Sequence, residues 1–400
     1  MSRKMVALSM VAVFLFALIG CTPKNPTSPT QPGSPASPEQ TVTMETNPTT
    51  LSPSPATALD ASPLAWLLRA VPSEQIESLW YSDIPALSAY QNQAIPSRET
   101  SPQEKIKWWM TFQRNVLAGS SFPTVTDVWG FDAVDMLGGL TFYRQEYPSV
   151  SIFAGHFDIA NFREALKAYK YSEESYLGYP LFYGIPQNVF DVRPPLFDFS
   201  PRAFSIIEGV KTSGDEVSLI VMAEKFSDVD VTRSKMAVQS VLQAYEDKTA
   251  LAYSSDGLAA LVNSLGRVGS AFIAVDFRVD IPEWMSAEER ASCVGPGKLS
   301  PYNQLAITLQ KEGDDFVLEF ILDYGNSAIA MANAATLESR LREGLSFTKK
   351  PLADLWTVRE VKGDGSLLRA RVKLIQQPGG TTRNLTAMIF SGDYWFLYPN

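Results

Sequence analysis

Side chains able to perform catalysis or to bind metals are sparse in this sequence. His156 is the single histidine, and Cys21 and Cys293 are the two cysteines. Zinc and iron sites need several nitrogen or sulfur ligands, and a serine-hydrolase triad needs a histidine base beside an activated nucleophile. His156 lies in the strand-like stretch SVSIFAGHF. The sequence has no second histidine, no cluster of cysteines and no G-x-S-x-G nucleophile motif. The sequence therefore favours a protein that is not an enzyme and that holds no metal and no cofactor.

Acidic pairs are the remaining candidates for calcium binding or glycoside hydrolysis. They are Asp314 with Asp315, Asp228 with Asp230, and Glu288 with Glu289. None has the spacing of a calcium-binding loop, and adjacent acids on turns usually face solvent. The short stretches KTSG (211–214) and SFTK (346–349) are similar to motifs of penicillin-interacting serine enzymes, but they occur in the reverse chain order. These patterns are too short to predict a catalytic site.

A tryptophan pair is the aromatic candidate for ligand binding. Trp108 and Trp109 lie on a predicted helix over 102–117, where successive side chains point about 100° apart. Either this helix has a broad buried face that takes up both rings, or one ring is exposed and contacts sugar rings or apolar ligands. The sequence leaves both alternatives open.

An apolar segment ends at the first cysteine. Arg3 and Lys4 precede the uncharged stretch 5–20, which is shorter than the roughly 20 residues of a membrane-spanning helix. The stretch closes with LIGC at 18–21. This segment resembles the signal peptide and lipobox of bacterial lipoproteins. The resemblance implies cleavage before Cys21, attachment of lipid to its thiol, and an anchor on the extracytoplasmic face of a membrane. The alternatives are an ordinary secretory signal and an uncleaved anchor helix.

A proline-rich stretch follows the lipobox directly. Prolines recur at every third position from Pro23 to Pro38, which is the period of a polyproline II helix. Residues 22–62 contain 15 Ser or Thr and almost no large apolar side chains, so they cannot form a core. We therefore expect a disordered, semi-rigid stalk that carries the following domain away from the bilayer.

The charge of the chain limits its partners. The formal net charge is -9, and loss of residues 1–20 with Arg3 and Lys4 makes it -11. Phosphate backbones repel such a chain, so nucleic acid is excluded as a partner. If Cys21 carries lipid, Cys293 has no intramolecular disulfide partner, and we expect no disulfide framework.

Alternating and β-branched patterns predict strands in both halves of the chain beyond residue 62. The predicted strands are 77–84, 140–147, 149–157, 203–209, 216–224, 270–277, 303–311, 316–324, 367–375, 384–390 and 394–399. The predicted helices are 102–117, 158–168, 235–246, 256–266 and 326–343, with Asp158 and Asn326 as N-caps and Gly344 just past the last helix.

The two halves share an order of predicted elements. Strand 77–84 matches strand 270–277, and hairpin 140–157 matches hairpin 305–324, each followed by a helix. A third match pairs 203–221 with 385–399. Internal duplication and chance similarity both explain such a pattern. We predict an α+β fold with two lobes of mostly antiparallel sheet and helices packed on one face of each.

The resulting division of the chain has four parts. We expect a signal peptide (1–20), a lipidated Cys21 with its stalk (21–62), a first lobe with a helical connector (63–267) and a second lobe (268–400). A cleft between the lobes is the expected ligand or partner site.

Three functions fit these observations. The first is a membrane-anchored extracytoplasmic lipoprotein whose non-catalytic ectodomain binds or scaffolds an envelope component or a small ligand. The second is a carrier of lipid or another hydrophobic ligand, which needs a large apolar cavity between sheet and helices. The third is a transporter-associated solute-binding lipoprotein, although the parallel βαβ units typical of such proteins are scarce here.

Overall fold

Twelve strands form one antiparallel sheet in the described part of the chain. The structure is a computed structural model that describes residues 63–73, 76–112, 115–118, 130–144, 148–184, 202–212, 214–223, 231–247, 256–275, 286–346, 349–375, 388–389 and 394–399. All of them belong to one compact unit, Ser52–Asn400. The predicted signal peptide and the whole of the predicted stalk lie outside the described residues.

The strands span both halves of this unit. In chain order they are β1 Ile76–Asp83, β2 Met136–Arg144, β3 Val150–Gly155, β4 Ser172–Tyr176, β5 Tyr179–Tyr183, β6 Ala203–Lys211, β7 Glu216–Ala223, β8 Ser270–Val275, β9 Gln304–Glu312, β10 Asp315–Asp323, β11 Trp356–Asp364 and β12 Leu367–Leu374. Their order across the sheet is β11-β12-β10-β9-β8-β1-β2-β3-β7-β6-β5-β4.

Helices connect and cover these strands. They are α1 Pro63–Leu68, α2 Ile84–Tyr90, α3 Pro102–Met110, α4 Ile159–Ala168, α5 Val231–Glu246, α6 Asp256–Asn263, α7 Ala287–Val294 and α8 Ser327–Glu343, with 3-10 helices at Ala133–Asp135, Leu352–Asp354 and Trp395–Leu397. The predicted α+β class with a mostly antiparallel sheet is confirmed.

Several local predictions were wrong. Residues 388–389 are helical and Trp395–Leu397 is a 3-10 helix, where strands 384–390 and 394–399 were predicted. Helix α3 ends at Met110 rather than at residue 117. Strands β4, β5 and β11 were not predicted.

The N-caps of the two helices that follow hairpins are confirmed. The carboxylate of Asp158 accepts a hydrogen bond from the Asn161 amide, and Asn326 caps α8 in the same way.

Helices lie on both faces of the sheet, whereas the sequence predicted one. Trp80 joins a core cluster with α3, α4 and α8, while its neighbours Leu79 and Tyr81 join a second cluster with α1, α5 and α6. Successive side chains of a strand point to opposite faces, and all three residues are buried. Both faces of the central strands therefore need a cover of helices.

The repeated order of elements is confirmed at the level of sheet topology. Outward from the centre, β8-β9-β10-β12-β11 follows the same path as β1-β2-β3-β7-β6. Helices α4 and α8 each follow the matched hairpin and contribute to the same core cluster. The third match was wrong, because the counterpart of hairpin β6–β7 is β11–β12 rather than residues 385–399.

The halves join through paired strands. β1 and β8 run antiparallel with Trp80 opposite Phe272, and these two rings meet edge to face with centroids 5.8 Å apart. The predicted boundary between the lobes, at residues 267 and 268, thus falls just before β8. Through this strand the sheet continues from one half of the chain into the other. Backbone pairing occupies the junction at which the sequence suggested a cleft.

A buried carboxylate marks the end of β1. The Oδ1 atom of Asp83 caps α2 by accepting a hydrogen bond from the Ala86 amide at 2.8 Å, and its Oδ2 lies 3.5 Å from Arg267 Nε. The side chain of Asp83 is fully buried. Burial raises the pKa of this carboxyl above its ordinary value of 3.8, against the opposing effects of the cap and of Arg267.

This carboxyl predicts a distinctive pH dependence of stability. Because its pKa is higher in the folded than in the unfolded state, the folded state binds the proton more tightly. We expect the stability of the wild type, measured relative to Asp83→Asn, to be greatest below pH 3.8 and to fall as the pH rises through the folded-state pKa. Urea unfolding of both proteins at several pH values tests this.

The Ala variant separates the charge from the cap. Asn caps a helix about as well as Asp, so Asp83→Ala should be less stable than Asp83→Asn by about 1 kcal/mol at every pH. A wild-type advantage over Asp83→Asn that grows with pH would contradict the assignment.

Candidate ligand-binding pocket

The residues singled out in the sequence are spread over the fold. Cys21 lies outside the described residues, as do Asp228 and Asp230, and Cys293 lies in α7. No group of three or more His, Cys, Asp or Glu in the described ranges is arranged to hold a metal ion.

The other acidic pairs take part in structural contacts. Asp315 forms ion pairs with Arg359 and Lys373 across the sheet, and the hydrogen bond from Lys373 holds the pKa of its carboxyl below the ordinary value. Glu289 completes a capping box at the start of α7 and pairs with Lys349 at 3.0 Å. These acids act as surface and helix-end residues.

The backbone of His156 joins the loop after β3 to neighbouring segments. Its imidazole is about half exposed, with Nε2 3.2 Å from Asp215 Oδ2. Its backbone amide donates to the Asp135 carbonyl at 3.0 Å, and its carbonyl accepts from Arg98 Nη2 at 2.6 Å. The loop after β3 is thereby joined to the two segments that form a pocket.

Both tryptophans of the pair are buried, which decides between the two sequence alternatives. Trp108 and Trp109 are 4% and 1% exposed, and both rings contact Phe112 with centroids 5.1 and 5.4 Å away. The Trp108 indole N–H donates to Ser88 Oγ at 2.8 Å. The Trp109 N–H has no acceptor among the described residues. One buried donor on α3 is therefore left unsatisfied.

Trp109 lines a surface pocket of about 340 Å³. The pocket lies between α3, the segment that precedes it, the 3-10 helix Ala133–Asp135 and the start of α4. Its lining combines charged and polar residues with apolar ones, namely Arg98, Pro102, Lys105, Ile106, Trp109, Gly130, Phe131, Asp132, Ala133, Asp135, Asp158 and Asn161. Sequence reasoning found only Trp109 and Asp158 among them, the latter as a helix cap.

Ion pairs hold the cationic side of the pocket in place. Arg98 Nε donates to Asp135 Oδ1 at 2.7 Å, and this hydrogen bond raises the pKa of the guanidinium. Lys105 pairs with Asp132 and also donates to the Arg98 carbonyl at 2.6 Å. Both cations are thus neutralised within the protein, so they are poorly suited to attract an anionic ligand.

Several polar groups of the lining retain hydrogen-bonding capacity. Asp158 uses Oδ1 to cap α4 and Asp135 uses Oδ1 to accept from Arg98, so no described residue bonds the second oxygen of either carboxylate. The side-chain amide of Asn161 has no partner among the described residues. Phe131 and Ile106 belong to the same lining.

Two glycines allow the pocket walls to approach each other closely. A Cβ on Gly155, the last residue of β3, would lie 2.2 Å from the Asp135 carbonyl oxygen. A Cβ on Gly130 would lie 2.7 Å from the Asn161 carbonyl oxygen, and Gly130 has a φ of +76°. A side chain at either position would displace the walls, so the geometry of the pocket requires glycine at both.

In the second half, Arg340 joins α8 to the C-terminal segment. The guanidinium of Arg340, on α8, donates to the carbonyls of Pro296, Gly297, Phe396 and Tyr398 at 2.7 to 3.1 Å. The ring of Phe396 packs against Phe320 with centroids 5.1 Å apart. Arg340 is fully buried, and burial lowers its pKa to about 10, so it remains charged at neutral pH.

Comparisons with known proteins provide little guidance on function. No protein-family model and no curated protein matches the chain. Two crystal forms of TP0453, a lipoprotein of Treponema pallidum, are similar in structure. Form I has a TM-score of 0.35 and 9% identity over 82% of this chain and 97% of TP0453; form III has 0.34 and 10% over 81% and 97%. With TM-scores this low, we base no argument on the resemblance.

Proposed function

We propose that this chain is an extracytoplasmic lipoprotein, held to a membrane by lipid on Cys21, with an ectodomain that binds an envelope component or small ligand without catalysis. The observation that carries the proposal is the LIGC sequence at 18–21, followed directly by the proline-rich stretch. No helix in the described ranges has the length and apolarity needed to cross a bilayer. Lipid on Cys21 supplies the membrane attachment in this proposal.

The pocket supports a binding role. Its ion pairs and glycine contacts hold its walls in place, and several polar groups around it retain hydrogen-bonding capacity. A rigid concave site with convergent polar groups on an apolar lining is typical of ligand binding.

The two alternative functions receive less support. A hydrophobic-ligand carrier needs a large apolar cavity, but the described pocket is small, lies at the surface and has charged residues among its apolar ones. A solute-binding protein of the two-lobed kind binds between separate lobes, whereas the two halves here share one sheet.

Metabolic labelling with an alkyne fatty acid tests the anchor. We expect the wild type to take up label and to fractionate with membranes, and we expect Cys21→Ser to lose both properties because the thiol is the attachment atom. The matched control is Cys293→Ser, which should be labelled like the wild type. An unlabelled wild type, or equal labelling of Cys21→Ser, contradicts the proposal.

A further inference from the structure

We infer that the pocket between α3, the 3-10 helix Ala133–Asp135 and α4 binds a single sugar ring. This inference names the ligand class of the proposed binding ectodomain and rests on that proposed function. The chemistry of the lining, the balance of its charges and its size lead to this class of ligand.

The hydrogen-bonding groups around the pocket match a polyhydroxylated ligand. Asp135 and Asp158 each offer one carboxylate oxygen as an acceptor, and the Asn161 amide offers both a donor and an acceptor. Sugar hydroxyls donate and accept at once, so neighbouring hydroxyls can satisfy groups of both kinds.

The apolar part of the lining matches the face of a sugar ring that consists of C–H groups. Ile106 is 46% exposed and supplies aliphatic surface at the pocket. Phe131 is almost fully buried, with its ring packed against Phe157 and Phe162, so it supports the lining from beneath. A ligand with alternating apolar and hydroxyl surface can contact both parts of this lining.

Charge argues against an anionic ligand. The two cations, Arg98 and Lys105, are engaged by Asp135 and Asp132, which leaves the carboxylate of Asp158 as the excess charge of the lining. A phosphate or carboxylate ligand would meet this negative charge without a free cation in the lining to compensate it. A neutral sugar meets no such penalty.

The size of the pocket limits the size of the ligand and therefore the expected affinity. A volume of about 340 Å³ lies near the lower end of the roughly 300–1,000 Å³ found for ligand sites. A ligand of one sugar ring has few atoms, so we expect a Kd on the order of 1 mM. Such a ring can come from a free sugar or from a residue of an envelope glycan.

The test uses the full chain purified in detergent micelles. Glucose, galactose and N-acetylglucosamine are titrated to about 50 mM by saturation-transfer difference NMR, well above the expected Kd. Purified peptidoglycan sacculi are used in a parallel co-sedimentation assay. Binding of a free sugar identifies one source, and binding to sacculi alone identifies the other.

Two variants assign binding to the pocket. Asp158→Asn retains a helix cap but loses the anionic acceptor, and Asn161→Ala removes the amide. We expect each to weaken binding by about fivefold, which corresponds to the loss of one hydrogen bond. Glu338→Gln, on the exposed surface of α8, is the matched control and should bind like the wild type.

Several results would overturn the inference. These are no saturable binding to any of the sugars or to sacculi, or binding that both pocket variants retain at full strength. Thermal melts of each variant verify folding. Because labelling of Cys21 does not depend on the pocket, failure of sugar binding with intact labelling overturns the ligand and leaves the anchor.

Discussion

Replacement of Arg340 by Met should lower the free energy of unfolding by about 3–5 kcal/mol, a range typical of breaking a buried charged interaction. The guanidinium donates to four backbone carbonyls in two separate segments, Pro296–Gly297 and residues 396–398. Methionine fills much of the same volume but donates nothing, so four carbonyls lose a charged donor. Urea unfolding followed by tryptophan fluorescence measures the loss.

Two further variants separate charge from geometry. Arg340→Lys keeps the charge but presents it as a compact ammonium, which cannot reach four carbonyls at once, so an intermediate loss is expected. Arg342→Met removes an arginine two positions along the same helix, where the side chain is 52% exposed and pairs with Glu338. That change should cost less than about 1 kcal/mol. A comparable loss at both positions would show that Arg340 has no special role.

Replacement of Gly155 by Ala should destabilise the protein by about 2–3 kcal/mol, as overpacking of a filled core does. The new Cβ would lie 2.2 Å from the Asp135 carbonyl oxygen and 2.8 Å from Phe157 Cζ. The first of these atoms belongs to the backbone and cannot rotate away. Strand β3 and the 3-10 helix must therefore separate, which displaces Asp135 and the pocket wall with it.

The matched control for this change is Gly214→Ala. Gly214 is a second glycine beside a strand, in the turn between β6 and β7. An added Cβ there meets no atom within 4 Å. Its stability should change by less than about 0.5 kcal/mol, as at most exposed positions. If Gly155→Ala unfolds at the same urea concentration as Gly214→Ala, the close contact between β3 and the 3-10 helix does not constrain the fold.

Local sequence patterns determined most of the strands and the helices that follow hairpins. β1, β3 and β10 combine apolar side chains with β-branched or aromatic residues. Asp158 and Asn326 cap helices by bonding backbone amides no more than three residues away. Such signals depend on neighbours along the chain, so the sequence alone predicted them. The LIGC sequence at 18–21 and the proline period are local in the same sense.

The edge strands were missed because charged residues interrupt that signal. β4 reads SEESY and lies at one edge of the sheet, and β11 reads WTVREVKGD at the other. Edge strands have one neighbour and face solvent along the other side, so charged residues are favoured there over apolar ones. Only the pairing of β4 with β5, and of β11 with β12, reveals them.

Tertiary structure alone decided how the halves join and where the pocket lies. The repeated order of elements was visible in the sequence, but the same pattern suits two separate sheets and one continuous sheet equally well. The pairing of Trp80 with Phe272 across β1 and β8 distinguishes them, through contacts between residues almost two hundred positions apart. The pocket likewise brings Arg98 to Asp135 and Trp109 near Asp158, and no spacing in the sequence indicates those distances. Side chains far apart in the chain become neighbours only when burial of both sheet faces sets the register of every strand and the position of every helix.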